Sequence, residues 1–138
     1  MTYVKSVSGA DYAATMLRVS LGIMYLAHAY LKIFVFTLPG AARFFESAGF
    51  PGWTVYPVVS AEVIGGVMLI LGIQARWVAL ALIPILLGAV MTHWPNGWVF
   101  SAKGGGWEYP AFLIIMSSAL ALIGNGAFAS QRTASASR

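Results

Sequence analysis

The chain has 138 residues, of which 59% are hydrophobic and only 9% are charged, and its formal net charge is +4. A soluble domain is typically about 45–50% apolar and about 25% charged, so this composition indicates an integral membrane protein. The positive charges form no basic run, which excludes a nucleic-acid footprint, and the lack of cysteine excludes a thiolate-bound iron–sulfur cluster within the chain.

Four stretches are long and apolar enough to cross a bilayer, which requires roughly 20 mostly apolar residues. Their approximate limits are residues 11–36, 55–72, 76–94 and 109–125, with proline- and glycine-containing segments between them. The sequence therefore predicts an all-α polytopic membrane protein, a four-transmembrane-helix bundle with short loops, over residues 11–126. Residues 1–10 are expected to be an N-terminal cytoplasmic segment and residues 127–138 a disordered tail.

The flanking charges predict the orientation of these spans. Four spans place both termini on one side of the membrane, and cytoplasmic loops carry an excess of lysine and arginine. The side of the termini would hold Lys5, Arg76, Arg132 and Arg138, and the other side Arg43 and Lys103. We therefore expect a multi-pass protein of the inner (cytoplasmic) membrane with cytoplasmic termini. We also expect residues 41–50 to form a short interfacial helix on the outer face.

Charged side chains inside the spans indicate where a functional site lies, because each costs about 2.5–3.5 kcal/mol at a helix centre on insertion scales. With a rise of 1.5 Å per residue, Arg18 lies about 10 Å into the first span, and Glu62 lies about 20 Å from the same face in the second. An arginine reaching towards the opposite face would meet Glu62, directly or through Tyr25. The sequence thus predicts an Arg18–Glu62 pair.

A second polar layer is predicted nearer the outer face. The same rise places His28, Lys32 and His93 about 25–31 Å from the inner face, and Glu108 begins the fourth span at the outer edge. Lys32 lies seven residues after Tyr25, almost two full turns, so both belong to one helical stripe with Arg18. His28 and Lys32 are neighbours on the same helix face.

Each of these residues also has a structural interpretation. Arg18 and Glu62 can simply fix helix register, and Lys32 can extend to the lipid headgroups and touch Glu108. The histidines can be interfacial hydrogen-bonding groups, or they can line a polar pocket for a quinone head group or a proton path. Haem ligation by two histidines is disfavoured, because the pair meets only the minimum requirement. No metal site is predicted.

The quinone hypothesis assigns two sets of residues. The candidates for proton transfer are Glu62, Glu108, His28 and His93. The hypothetical quinone pocket would be formed by His28, His93, Arg18, Lys32 and Tyr25.

Five short motifs occur in a characteristic order along the chain. They are Arg18-(x)3-Gly22-(x)5-His28-(x)3-Lys32, Phe45-(x)3-Gly49-Phe50-Pro51, Glu62-(x)2-Gly65-Gly66-(x)5-Gly72-(x)3-Arg76, His93-(x)2-Asn96-Gly97-Trp98 and Gly105-Gly106-Trp107-Glu108-Tyr109. This order resembles the DoxX family of small bacterial and archaeal membrane proteins. One position departs from the family, which usually has glycine directly after the first histidine, where this chain has Ala29.

The resemblance implies a four-helix membrane protein associated with redox systems. The family takes its name from a subunit linked to terminal quinol oxidase and thiosulfate:quinone oxidoreductase. The expected function is thus a membrane component of a respiratory or redox complex, with an oxidoreductase partner subunit and possible quinone binding. Whether the chain itself takes part in catalysis is left open. The alternatives are a non-catalytic anchor for an oxidoreductase and a small-solute transporter, which would require a homo-oligomer of so short a chain.

Overall fold

A computed structural model describes residues 6–131, which form five α-helices and contain no strand. Helix α1 spans Gly9–Tyr30 and continues as a π-helical turn over Leu31–Val35. The other helices are α2, Leu38–Ser47; α3, Val55–Leu71; α4, Ala75–His93; and α5, Glu108–Ile123. Short 3-10 turns, Gly52–Thr54 and Trp94–Asn96, lie before α3 and after α4. The predicted all-α fold class is confirmed.

The predicted spans coincide to within two residues at either end with α1 plus its π-helical turn, α3, α4 and α5. Three segments are long and apolar enough to cross a membrane: Gly9–Val35, Gly52–Leu71 and Ala75–Asn96, with 27, 20 and 22 residues. Helix α5 is apolar but has only 16 residues, a length of about 24 Å. The membrane bundle therefore consists of three long helices and one shorter helix.

Helices α1, α3, α4 and α5 pack in a ring. In this ring α1 contacts α3 and α5, and α4 contacts the same two helices. Two glycines allow the closest approach. A Cβ atom at Gly22 would lie 2.7 Å from the carbonyl oxygen of Gly66, and a Cβ at Gly66 would lie 2.9 Å from Leu26 Cγ. The backbones of α1 and α3 are thus in near-direct contact, as small residues permit in membranes.

The two ends of the bundle differ. At one end, here called the terminal end, the start of α1 meets the segment after α5, and Ala127 N donates to Asp11 O at 3.1 Å. At the opposite end, here called the cavity end, α2 lies beside α3 and the π-helical turn. Helix α2 is the short helix predicted at residues 41–50, and it begins slightly earlier because Thr37 caps it by accepting from Gly40 N.

The outer surface of the bundle is apolar. Met16, Ile64 and Leu122 are 71%, 61% and 84% exposed and project from three different helices. Large apolar side chains at this exposure are stable in hydrocarbon but would be an aggregation hazard in water. The helices therefore present their surfaces to lipid, and lipid contact follows from the fold itself.

Candidate functional site

A cavity of about 1220 Å³ opens within the cavity end of the bundle. All five helices and the loop between α4 and α5 contribute to its wall. Polar lining side chains are Tyr25, His28, Lys32, Thr54, Glu62, Thr92, His93 and Tyr109. The rest of the wall is mainly apolar and includes five phenylalanines, at positions 36, 44, 45, 50 and 100. A mostly apolar pocket with a few polar groups is the usual form of a small-molecule site.

An ion pair between α1 and α3 lies in this wall. Lys32 Nζ donates to Glu62 Oε1 at 2.8 Å and to Oε2 at 3.0 Å. The Glu62 side chain is 3% exposed and that of Lys32 is 18% exposed, so the carboxylate is the more deeply buried partner. Lys32 belongs to the π-helical turn, a local irregularity that is frequent at functional sites.

This pairing corrects the predicted Arg18–Glu62 contact. Side chains on a helix lean towards its N-terminus. Helix α1 starts at the terminal end, so Arg18 leans away from the cavity, whereas α3 runs in the opposite direction and Glu62 leans towards the cavity. The same rule brings Lys32 down to Glu62. The prediction counted residues to place Cα atoms along the helices and did not include the direction of the side chains. It therefore paired Glu62 with Arg18 and not with Lys32.

Arg18 instead binds backbone carbonyls at the terminal end. It is only 1% exposed, and its Nε donates to Asn125 O at 2.9 Å. Its Nη1 donates to Leu69 O at 3.1 Å and to Ile70 O at 2.5 Å, and its Nη2 donates to Ala127 O at 2.9 Å. Arg18 therefore belongs to a structural network at the terminal end, and it is not among the residues that line the cavity.

The residues after α5 complete this network. Asn125 Oδ1 accepts from Ala75 N at 3.1 Å and so caps the start of α4, and Asn125 Nδ2 donates to Gln131 O. Gln131 N in turn donates to Gly72 O at 3.1 Å. Residues 127–131 thus pack on the helices, although the sequence predicted a disordered tail from 127 onwards. The remainder of that tail and the first five residues of the predicted N-terminal segment lie outside the described residues.

The two histidines line the same cavity from different helices. His93 Nδ1 lies 2.8 Å from Ala89 O, a carbonyl oxygen that can only accept, so Nδ1 donates and Nε2 faces away from this contact. His28 Nδ1 is buried and makes no hydrogen bond to the described residues. The His28 ring lies 6.3 Å from that of Tyr109, whose hydroxyl donates to Met24 Sδ at 3.0 Å.

Tyr25 lies deeper in the cavity wall, with 5% exposure. Its hydroxyl lies near that of Ser117 of α5, but neither hydroxyl makes a hydrogen bond of good geometry within residues 6–131. Buried polar groups of this kind usually bind ordered water or a ligand atom. Tyr25 therefore supplies an available donor beside the ion pair.

Glu108 does not share this arrangement with Lys32. It lines a smaller depression with Phe100, Tyr109 and Phe112, while the lysine is directed to Glu62. The predicted Lys32–Glu108 contact is therefore replaced by a contact one layer deeper, for the same reason of side-chain lean. Of the predicted site residues, Tyr25, His28, Lys32, Glu62 and His93 line one cavity, and Arg18 and Glu108 lie elsewhere.

Several lining residues were not predicted from the sequence. The phenylalanines of α2 and Phe100 carry no polar group that would mark them as site residues in the sequence. Their place in the wall depends on how the loops fold over the bundle. Tyr109 and Thr92 could have been found, because Tyr109 directly follows a motif glutamate and Thr92 precedes a motif histidine. Each lies at the cavity end of a span, where polar side chains are less costly than at its centre.

The fold and the site define a class: an α-helical membrane protein with an amphipathic cavity whose wall holds a buried ion pair. The family model of DoxX matches residues 13–94, more than half of the chain, and the chain belongs to this family. It is 31% identical over 118 residues to "Putative oxidoreductase CatD" of Bacillus subtilis (strain 168), which covers 83% of this chain and 81% of that protein. No solved structure matches the chain at a significant level.

Proposed function

We propose that this chain is the quinone-binding membrane subunit of an oxidoreductase complex, with the head group of the quinone or quinol held in the cavity. The observation that carries the proposal is the Lys32–Glu62 pair in the wall of an otherwise mainly apolar chamber. Keeping these two charged side chains in an apolar wall costs desolvation energy, and a ligand that binds to the pair would offset that cost. The similarity to a protein named as an oxidoreductase favours redox chemistry over other ligands.

The available hydrogen-bonding groups suit the two oxygens of a quinone. Lys32 has three N–H groups, and two of them serve the two oxygens of Glu62. The third is free to donate to a quinone carbonyl oxygen. On another helix, His93 Nε2 can accept from the O–H of a quinol, because its Nδ1 is held by Ala89 O. The cavity thus supplies a donor and an acceptor.

In this proposal the site oxidises a quinol. Both O–H bonds break, the two C–O groups become carbonyls, and two electrons and two protons leave the ring. Ring nitrogens of His93 and His28 accept the protons as general bases. The two electrons pass to a redox centre of a partner oxidoreductase subunit. Glu62 acts electrostatically by holding Lys32 in place as the charged donor.

The same proposal includes a location in the cytoplasmic membrane with both termini on the cytoplasmic side. The charge bias of the sequence supports this orientation, because four predicted flanking lysine and arginine residues share the side of the termini and two lie on the other side. The cavity would then open in the outer half of the bilayer, where a quinone head group lies near the headgroup region.

The test is direct quinone binding by the protein in lipid nanodiscs. We expect a decyl-tailed ubiquinone or menaquinone analogue to bind, and we expect the double variant Lys32→Met, Glu62→Leu and the single variant His93→Ala each to weaken binding about tenfold, since one good hydrogen bond is worth about 1.4 kcal/mol in affinity. Lys103→Met is the matched control, because Lys103 is exposed on the loop after α4. Unchanged affinity in both cavity variants would refute the site, and no binding by the unaltered protein would leave an anchor role.

A further inference from the structure

One side of the cavity is open to the apolar surface of the bundle. Three of its lining phenylalanines are more than half exposed: Phe36 at 57%, Phe44 at 53% and Phe100 at 68%. They come from the end of the π-helical turn, from α2 and from the loop between α4 and α5. We refer to these three residues as the aromatic mouth. All three rings are exposed on the apolar outer surface of the bundle, where large apolar side chains favour contact with lipid.

The cavity is also larger than a quinone ring requires. Small-molecule sites usually enclose about 300–1,000 Å³ for a drug-sized ligand, and this cavity holds about 1220 Å³. Along α1 it extends from Leu21 to beyond Lys32, a distance of about 16 Å. A ring bound at Lys32 and His93 therefore leaves unfilled apolar volume, and the aromatic mouth is continuous with it.

We infer that the site takes a two-part ligand, a polar ring with an alkyl or prenyl tail, and that the tail leaves through the aromatic mouth into the bilayer. This inference rests on the proposed function and adds the ligand class and its path. The ligand reaches the site laterally from the hydrocarbon phase, and the tail is held by ring contacts from Phe36, Phe44 and Phe100. A water-soluble ring without a tail would lack these contacts.

The test compares a tail-less ring with a decyl-tailed ring of the same head group, in nanodiscs, with concentrations expressed per lipid. Phe44→Ala should weaken binding of the tailed quinone about tenfold, or about 1.4 kcal/mol, and leave the tail-less quinone unchanged. Phe34→Ala is the matched control, because Phe34 is 69% exposed in the same π-helical turn as Lys32 but is not among the residues that line the cavity.

The outcomes separate the two ideas. Equal effects of Phe44→Ala on both quinones would overturn the tail path while leaving the head-group site intact. Binding of neither quinone would overturn the proposed function itself. A photoreactive diazirine on the last tail carbon gives a second measurement on the unaltered protein. Labelling of peptides containing Phe36, Phe44 or Phe100 supports the path, and labelling confined to Leu21 or Leu113 at the inner end overturns it.

Discussion

Replacement of Arg18 by leucine is the sharpest test of the structure. Arg18 is 1% exposed and donates four hydrogen bonds to carbonyl oxygens of α3 and of the segment after α5. The acceptors Leu69 and Ile70 lie in the last turn of α3, where carbonyl groups lack some of their helical partners, although Leu69 O also accepts from Gly72 N at 3.2 Å. Arg18→Leu removes all four of its own bonds to these carbonyls.

The loss can be bounded. Interhelical hydrogen bonds in a membrane protein average about 0.6 kcal/mol, so four of them give about 2.4 kcal/mol. Bonds from a charged donor are roughly twice as strong, which gives about 5 kcal/mol. We therefore expect Arg18→Leu to lower the free energy of unfolding by about 2.5–5 kcal/mol. Arg18→Lys should lose less, because it keeps the charge but has three donors in place of five.

The measurement is reversible unfolding by titration with SDS in mixed micelles, followed by tryptophan fluorescence. Arg43→Leu is the control, since Arg43 is exposed on α2 and should change stability by less than about 0.5 kcal/mol. If Arg18→Leu unfolds like this control, the buried carbonyl network described here is wrong. If Glu62→Gln restores the stability lost in Arg18→Leu, the two residues are paired after all.

Three further contacts are tested by the same unfolding measurement. Gly22→Ala should destabilise by about 1–3 kcal/mol, because its Cβ would lie 2.7 Å from a backbone oxygen of α3. Gly88→Ala should be neutral or stabilising, since its nearest neighbour is 3.8 Å away; similar losses in both would contradict close packing at Gly22. Lys32→Met should cost about 3–5 kcal/mol by stranding the 3%-exposed Glu62, and adding Glu62→Leu should recover most of it. A double variant as unstable as the single one would show that the pair is not an isolated unit. Asn125→Ala should cost about 1 kcal/mol by uncapping α4, and an unchanged stability would contradict that cap.

The helices could be predicted closely from the sequence, because the signals are local. Runs of apolar residues between proline and glycine breakers predicted each membrane helix to within two residues, if the π-helical turn is included with α1, and the span lengths predicted the bundle. The relative direction of the chain in each span could also be predicted, because successive spans alternate in direction. A short helix at the position of α2 was also predicted. Its role as part of the cavity wall was not predicted.

The partners of the charged residues were harder to predict. Counting residues along a helix locates the Cα atom, but a lysine or arginine side chain reaches farther than one helical turn. The choice between Arg18 and Lys32 as the partner of Glu62 therefore depended on side-chain direction, which is opposite on antiparallel helices. The carbonyls that bind Arg18 have no signature in the sequence, since every residue carries one.

The exposed phenylalanines at the cavity have a practical consequence for handling the protein outside its native lipid. A single-chain detergent has a polar group and an alkyl chain of the kind that would fit between Phe36, Phe44 and Phe100, so solubilisation supplies a competitor at millimolar concentration. Apparent affinities would then fall as the surfactant concentration rises and would differ between surfactants of different chain length. Preparations extracted with a polymer that carries native lipid along would retain whatever molecule occupied the chamber in the cell.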